Sequence, residues 1–364
     1  MRHPRKVIHL TEDLGIGGQE KVIATLAAGA DRLRFRVEVW CLVRGGPLAD
    51  RLQRSGVRVR VLGLASYHDP SQVVRLARHL RRAGADIVHA HGSFAGTFGR
   101  LSALLAGKRT TLIHVHTTEP GLRLRHIAVQ RLLSPFTGAV VCVSEAVRRF
   151  MTAAIGLPAR KCRVIYNGVP DATPARAASA ARPKGAAGPL AVSLGSLVEN
   201  KGHRVLIAAF RRAATARPDL RLMIVGGGPL RAALERQAKE LGLEGRIRFA
   251  GHLPDVEPVL SGADMVIQPT LHREGLPLSL IEAARHGLPA VASRLGGIPE
   301  VVGHGRTGLL VPPGDAEALA GAMGRLAAEP SLRERLGNAA RVEYERRFRA
   351  EHMIAAIEAL YDAL

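Results

Sequence analysis

Short apolar runs alternate with amphipathic stretches along the whole chain. KVIHLT (6–11), RVEVWCLV (36–43), VRVRVLGL (57–64), ADIVHAHG (85–92) and TTLIHVHTTE (110–119) read as strands, and VVCVSEAV (140–147) as a strand running into a helix with Ser144 as its N-cap. KVIATLAAGA (21–30) and Pro70–Ala83 read as helices between them, the second with a strongly basic face. RVIYNGVP (163–170) closes this set. Residues 171–188, rich in Ala, Pro, Gly and Arg and without periodicity, then read as an exposed linker. A second set follows: PLAVSLGS (189–196), LRLMIVGGGPLRAALERQA (220–238), IRFAGHL (247–253), Met265–Gln268, PAVASRLGGIPEVV (289–302) and TGLLVPPGD (307–315). The tail from about Ser331 to Leu364 is helical. Strands alternating with helices predict an α/β protein with parallel sheets, and 364 residues suit two domains.

One stretch concentrates chemistry. Residues 263–287, ADMVIQPTLHREGLPLSLIEAARHG, read as strand, loop and amphipathic helix. Pro269 stops the strand, Pro277 opens the helix as its first residue, and Gly287 ends it. The first amides of such a helix, near Leu276 to Ser279, lack intrahelical partners and carry the positive end of the helix dipole, which suits a phosphate. Glu274 and Glu282 bracket them. Carboxylates accept hydrogen bonds from hydroxyls and repel phosphate, so a sugar on one side and a ribose on the other would satisfy all three features. The plain alternative is that Glu274 favours the helix dipole and Glu282 pairs with Arg285 or His286.

Three further motifs lie at strand ends. DLGIGGQEK places Gly15, Gly17 and Gly18 between a strand and a helix, where backbone can approach a phosphate or simply turn tightly. LGSLVENKGH places Ser196, Lys201 and Gly202 in the same position of the second set, with Lys201 either a point charge for a phosphate or a solvated loop lysine. His91 and His116 end two strands of the first set, and strand carboxyl ends are where open α/β sheets place ligands.

Charge changes the picture only for the first half. The net charge of +21 is divided as 27 Lys+Arg against 10 Asp+Glu in residues 1–170, and 25 against 21 in residues 171–364. GLRLRHIAVQRLL (121–133), with Arg123, Arg125 and Arg131 beside leucines, reads either as a basic amphipathic membrane-surface helix or as a packed helix with a solvated basic face. Aromatic residues make up only 4%, and there is no helix–turn–helix or zinc-finger spacing, so nucleic acid is disfavoured as a partner. No apolar run reaches the ~18 residues of a membrane span, and the run in MRHPRKVIHL is too short for a signal peptide and reads as the first strand. Cys41, Cys142 and Cys162 are isolated and have no metal spacing, so they read as small core hydrophobes of a reducing compartment.

EGLPLSLIEA, with seven residues between its glutamates, resembles the glutamate motif of retaining glycosyltransferase family 4, the group 1 glycosyltransferases. The resemblance extends from the GGQE loop through Lys201-Gly202 to the tail. It implies a GT-B fold, two Rossmann-like domains facing each other across a donor cleft. Residues 1–170 would bind the acceptor and residues 189–345 the donor, with 171–188 between them and a final helix, 346–364, crossing back onto the first domain. In that family the position of Glu274 orients sugar hydroxyls and that of Glu282 the ribose. The turn Gly275, Leu276, Pro277, Leu278, Ser279 meets the diphosphate together with Lys201, and Gly17 and Gly18 lie beneath it. The histidine at the place of His116 contacts the donor sugar, and His91 is left lining the cleft. Ser196 departs from the pattern, since an arginine is common there. Glu300 belongs to a recurrent pattern with a structural role.

The reaction so implied is hexosyl transfer with retention from a nucleotide-diphosphate-sugar, needing neither metal nor separate cofactor. The acceptor would be a glycan or lipid-linked sugar of envelope or exopolysaccharide synthesis, handled on the cytoplasmic face of an anionic membrane. A catalytically silent partner subunit, permitted by Ser196, a sugar-nucleotide epimerase and a basic nucleic-acid-binding protein are the alternatives.

Overall fold

The computed structural model describes residues 3–64, 69–108, 110–118, 123–171, 188–272 and 274–364. The expected linker falls almost wholly outside them, as do residues 121 and 122 of the basic segment. The described chain forms two compact units, residues 1–170 with 350–364 and residues 171–349.

The first unit alternates β1 (Arg5–Thr11), α1 (Gly18–Gly29), β2 (Phe35–Cys41), α2 (Pro47–Arg54), β3 (Arg58–Val61), α3 (Pro70–Ala83), β4 (Ile87–His91), α4 (Gly92–Leu105), β5 (Thr111–Val115), α5 (Leu124–Leu133), β6 (Ala139–Cys142), α6 (Glu145–Arg149) and β7 (Cys162–Val164). The strands form one parallel sheet in the order β3-β2-β1-β4-β5-β6-β7. A parallel sheet covered on both faces needs continuous apolar strands, which is why β4 and β6 are buried throughout. Strand order reverses between β1 and β4, and a crevice opens at the carboxyl ends of strands at such a switch point. Ser144 caps α6 by accepting from the Val147 amide at 3.1 Å. The three cysteines are free and buried.

The second unit repeats the plan with β8 (Leu190–Leu194), α7 (His203–Ala216), β9 (Arg221–Val225), α8 (Arg231–Glu240), β10 (Ile247–Gly251), α9 (Glu257–Ser261), β11 (Met265–Gln268), α10 (Leu278–Arg285), β12 (Ala290–Ser293), α11 (Ile298–Val301), β13 (Gly308–Val311), α12 (Ala316–Ala328) and α13 (Pro330–Glu343). Its parallel sheet runs β10-β9-β8-β11-β12-β13, with the switch point between β8 and β11. Phe210, Leu206 and Ile207 of α7 join Met323 and Leu326 of α12 in the core over one face of this sheet. Each such side chain contributes roughly 1.5–3 kcal/mol by burial. A π-helical stretch, Tyr344–Phe348, leads to α14 (Ala350–Asp362), which belongs to the first unit. There Tyr361 is 2% exposed and packs edge-on against Phe35 and His89.

Two sequence expectations need correction. Pro277 is the N-cap of α10 rather than its first helical residue. The helix itself is not amphipathic: Leu278, Leu280, Ile281, Glu282, Ala283, Ala284 and Arg285 are all buried, because it packs on the sheet and on α13 together. In α5, arginines and leucines do not segregate. Leu124 and Leu132 are 83% and 72% exposed beside exposed Arg123 and Arg125, while Arg131 donates to the Ile155 carbonyl at 2.6 Å.

Candidate active site

In the second unit the switch point brings Lys201 to Glu274. Lys201 follows β8 and Glu274 follows β11, the two strands that flank the reversal. Lys201 Nζ lies 2.7 Å from Glu274 Oε2, and their side chains are 23% and 11% exposed. Thr270 Oγ1 donates to the same carboxylate oxygen at 3.3 Å, Gln268 Nε2 donates to Thr270 Oγ1 at 2.8 Å, and Ser279 Oγ donates to Gln268 Oε1 at 3.0 Å. One polar network thus ties Lys201 to the first turn of α10. The cap residue, Pro277, makes no side-chain cap, and the amides of Leu278 and Ser279, in the first turn, lack intrahelical partners at the positive end of the helix. Gly275, Leu276, Pro277 and Leu278 are buried and Ser279 is half-buried. Glu282 is 7% exposed, and Arg285 and His286 are engaged with Glu257.

Two glycines hold this geometry. Gly202 has φ +72°, and a Cβ there would sit 2.0 Å from the Pro269 carbonyl oxygen. Gly296 has φ +53°, and its Cβ would sit 2.1 Å from the carbonyl oxygen of Glu274. Backbone cannot yield as a side chain can. Gly202→Ala is therefore expected to destabilise the second unit by about 2 kcal/mol or more, the left-handed penalty of ~1–2 kcal/mol plus the collision, and to weaken anion binding near Lys201. A urea midpoint equal to wild type would show that the loop moves aside at little cost.

In the first unit the glycine-rich loop also meets its switch point. Gly17 is the N-cap of α1, again without a side-chain cap, and Glu20 folds back over it. Burial raises the Glu20 carboxyl above its usual range. Gln19 reaches Gly92, the first residue of α4, so closely that a Cβ there would lie 2.9 Å from its Oε1. His91 and His116 are in contact, Nδ1 to Nε2 at 3.2 Å. His91 is 1% exposed, so it does not line a surface as expected from the sequence. It stands behind His116, which is partly exposed.

The family model described as glycosyl transferases group 1 matches residues 177–343, and that described as Glycosyltransferase Family 4 matches residues 16–173. The chain belongs to the group 1, family 4 glycosyltransferases. An exopolysaccharide phosphotransferase of Streptomyces coelicolor is 32% identical over 235 residues, 64% of this chain and 24% of that one. A GDP-mannose-dependent alpha-(1-6)-phosphatidylinositol monomannoside mannosyltransferase of Mycolicibacterium smegmatis is 38% identical over 161 residues, 42% of each chain. The chain therefore spans less than half the length of these curated relatives. HepE of Anabaena, solved in complex with UDP and glucose, superposes with a TM-score of 0.87 at 23% identity over 99% of this chain and 100% of that one. That likeness gives this family 4 glycosyltransferase the GT-B fold, with two Rossmann-like domains.

Within this glycosyltransferase, Ser196 is exposed in the turn after β8. Sequence reasoning missed Gln268 and Thr270, whose side chains link Glu274 to Ser279; the QPT that ends β11 was the available signal. It also missed His9, His89 and His114. The spacing in HAH and HVH put same-face pairs in view, since alternate strand residues share a face. Among the described residues, His9, His89 and His91, and likewise His91, His114 and His116, bring ring nitrogens within 4.8 Å of one another, as a metal site would. Two of those nitrogen pairs already lie at hydrogen-bond distance, 2.9 and 3.2 Å.

Proposed function

We propose that this chain is a retaining, metal-independent hexosyltransferase acting on a nucleotide-diphosphate-sugar. The Lys201–Glu274 pair beside the uncapped first turn of α10 carries the reading. A cation and helix amides there suit a departing diphosphate, and an adjacent carboxylate suits the hydroxyls of the sugar that leaves it. Lys201 is neutralised by Glu274 in the free protein. A donor would replace that pairing with two others, Lys201 to phosphate and Glu274 to sugar. Glu282 would hold the ribose and His116 would meet the transferred sugar. Ser196 offers no cation, so the diphosphate would rest on Lys201 and the amides, with Gly17 and Gly18 beneath. Retention would follow from attack on the face the diphosphate leaves, with the leaving phosphate taking the acceptor's proton.

The acceptor we assign is a glycan or lipid-linked sugar of exopolysaccharide or envelope synthesis, a class named in the relatives above. No helix of the described residues is long and apolar enough to cross a membrane. Exposed Arg123 and Arg125, with exposed Leu124 and Leu132 interspersed and not on a separate face, instead suit peripheral electrostatic contact with an anionic leaflet.

The test is a thermal-shift screen against UDP, GDP, ADP and TDP sugars and their nucleoside diphosphates, on wild type and Glu282→Ala. A donor at 100 times its Kd should add ~2.7 kcal/mol of stability. The reading stands if one nucleotide stabilises the wild type and not the variant, and falls if no nucleotide does.

A further inference from the structure

Five histidines share one face of the first unit's sheet. His9 pairs in register with His89 across β1 and β4, and His91 with His114 across β4 and β5. His116 follows His114 on the same face. His9, His89, His91 and His114 are each at most 1% exposed. Four of the five are linked through α14. His116 Nε2 lies 3.2 Å from His91 Nδ1, and His91 Nε2 lies 2.9 Å from His9 Nδ1. His9 Nε2 lies 3.2 Å from Tyr361 Oη, which lies 2.6 Å from His89 Nδ1. Consecutive rings tilt by only 16° (His9 and His91) and 25° (His91 and His116), so their N–H axes can run head to tail.

We propose that these groups form one directed hydrogen-bond chain in which His91, His9 and Tyr361 are positioning residues that fix His116 with its Nδ1–H as the donor offered to substrate. A neutral imidazole has one N–H and one lone pair. Each link needs one proton, and the buried Tyr361 O–H has to donate to one of its two ring nitrogens and accept from the other, so setting the direction of any link sets them all. Burial favours the neutral form of every ring. Two directions remain. In one, His89 Nδ1–H donates to Tyr361, Tyr361 to His9, His9 to His91 and His91 to His116. In the other, every bond is reversed and the proton of His89 moves to Nε2.

The far end decides. His89 Nε2 is buried and has no hydrogen-bond partner among the described residues. The first direction leaves a bare lone pair there, and the second leaves a buried N–H without an acceptor. Orphaned buried N–H groups are the rarer and costlier outcome. His114, with both nitrogens unpartnered among the described residues, carries one such N–H in either case and does not discriminate. All four linked histidines are therefore Nδ1–H tautomers. His116 Nδ1, which has no partner among the described residues, can only donate, so it selects an oxygen acceptor such as a sugar hydroxyl or ring oxygen. This consequence rests on the proposed role of His116; the tautomers themselves do not.

The experiment is nitrogen NMR of the full chain with 15N-labelled histidine rings, assigned by single substitutions. The expected spectrum has protonated Nδ1 and bare Nε2 for His9, His89, His91 and His116. Nε2–H forms, charged rings, or resonances that titrate stoichiometrically with added Zn2+ would overturn the chain. Transfer assays then test the positioning. His91→Leu is close in volume and breaks the link, so His116 should become a mixture of tautomers and kcat/KM should fall about tenfold, the worth of one hydrogen bond. His91→Gln, with one donor and one acceptor still to hand, should recover part of it. His116→Asn, whose N–H falls near Nδ1, should keep more activity than His116→Gln, whose N–H falls near Nε2. Equal losses in those two, with the expected spectrum, would overturn the positioning role alone. No transfer by the wild type, with the expected spectrum, would sink the proposed function and leave the chain standing.

Discussion

Acidification from about pH 7.5 to about pH 5.5 is expected to unfold the first unit well before the second. Burial holds His9 and His116 down to about 3 and His89, His91 and His114 well below their usual 6.5. In the unfolded chain the same rings take up protons near 6.5. The unfolded state therefore binds more protons, and stability rises with pH. The contribution is fully present above 6.5 and is lost as pH falls from there toward 3. Each fully buried ring adds up to ~1.4 kcal/mol per pH unit. Four such rings give about 5 kcal/mol per pH unit, with less from the partly exposed His116. A domain has only ~5–15 kcal/mol to lose. In the second unit His203 is held to about 4, mainly by burial and then by Lys201, and adds a single group of this kind. The chain's one tryptophan, Trp40, is buried in the first unit, so its fluorescence reports that unit alone. Urea midpoints from tryptophan emission should drop steeply between pH 7 and 5.5, and His114→Leu should reduce the slope by up to ~1.4 kcal/mol per pH unit at the acid end of that range. Midpoints that stay flat over that range would contradict the neutral, buried cluster.

Lys201→Ala is expected to lower kcat by about 10²–10³-fold, the usual effect of removing one preorganised group that meets developing charge. Glu274→Ala should do similar damage by a different route, since it would lose the proposed sugar contact and leaves Lys201 without its resting partner. The double variant should lose far less than the product of the two single losses, because residues 2.7 Å apart in one network act as a unit. Steady-state kinetics on the four proteins, with the donor found by the nucleotide screen, measure this directly. Fully multiplicative losses would mean that the two side chains act independently.

Local rules made much of the fold legible. The helix Pro70–Ala83 has the bounds its sequence suggests. Asp69 accepts from the Ser71 amide at one end, and Gly84 takes φ +65° at the other. Met265–Gln268 is likewise the strand its apolar run indicates, cut by Pro269. The candidate site was legible where chemistry sits in contiguous letters, as in EGLPLSLIEA. It was not legible where chemistry depends on distant pairs. Nothing near Lys201 announces Glu274, 73 residues away, as its partner. Nothing in HAH shows that His91 faces inward to His9 rather than outward to a ligand. Pro277 moved to the cap position because proline fits both places, and local sequence does not choose between them.

Tyr361 meets His9 across 352 residues of chain. During synthesis the first unit's strands leave the ribosome early, yet α14 comes after the second unit. At ~5–20 residues per second, residues 171–349 take roughly 10–40 s to be made. For that interval the nascent first unit lacks the hydroxyl that orients His9 and the ring that packs edge-on against His89. The unit begun first is thus the one completed last, and chaperones would find their binding surface there rather than in the second unit.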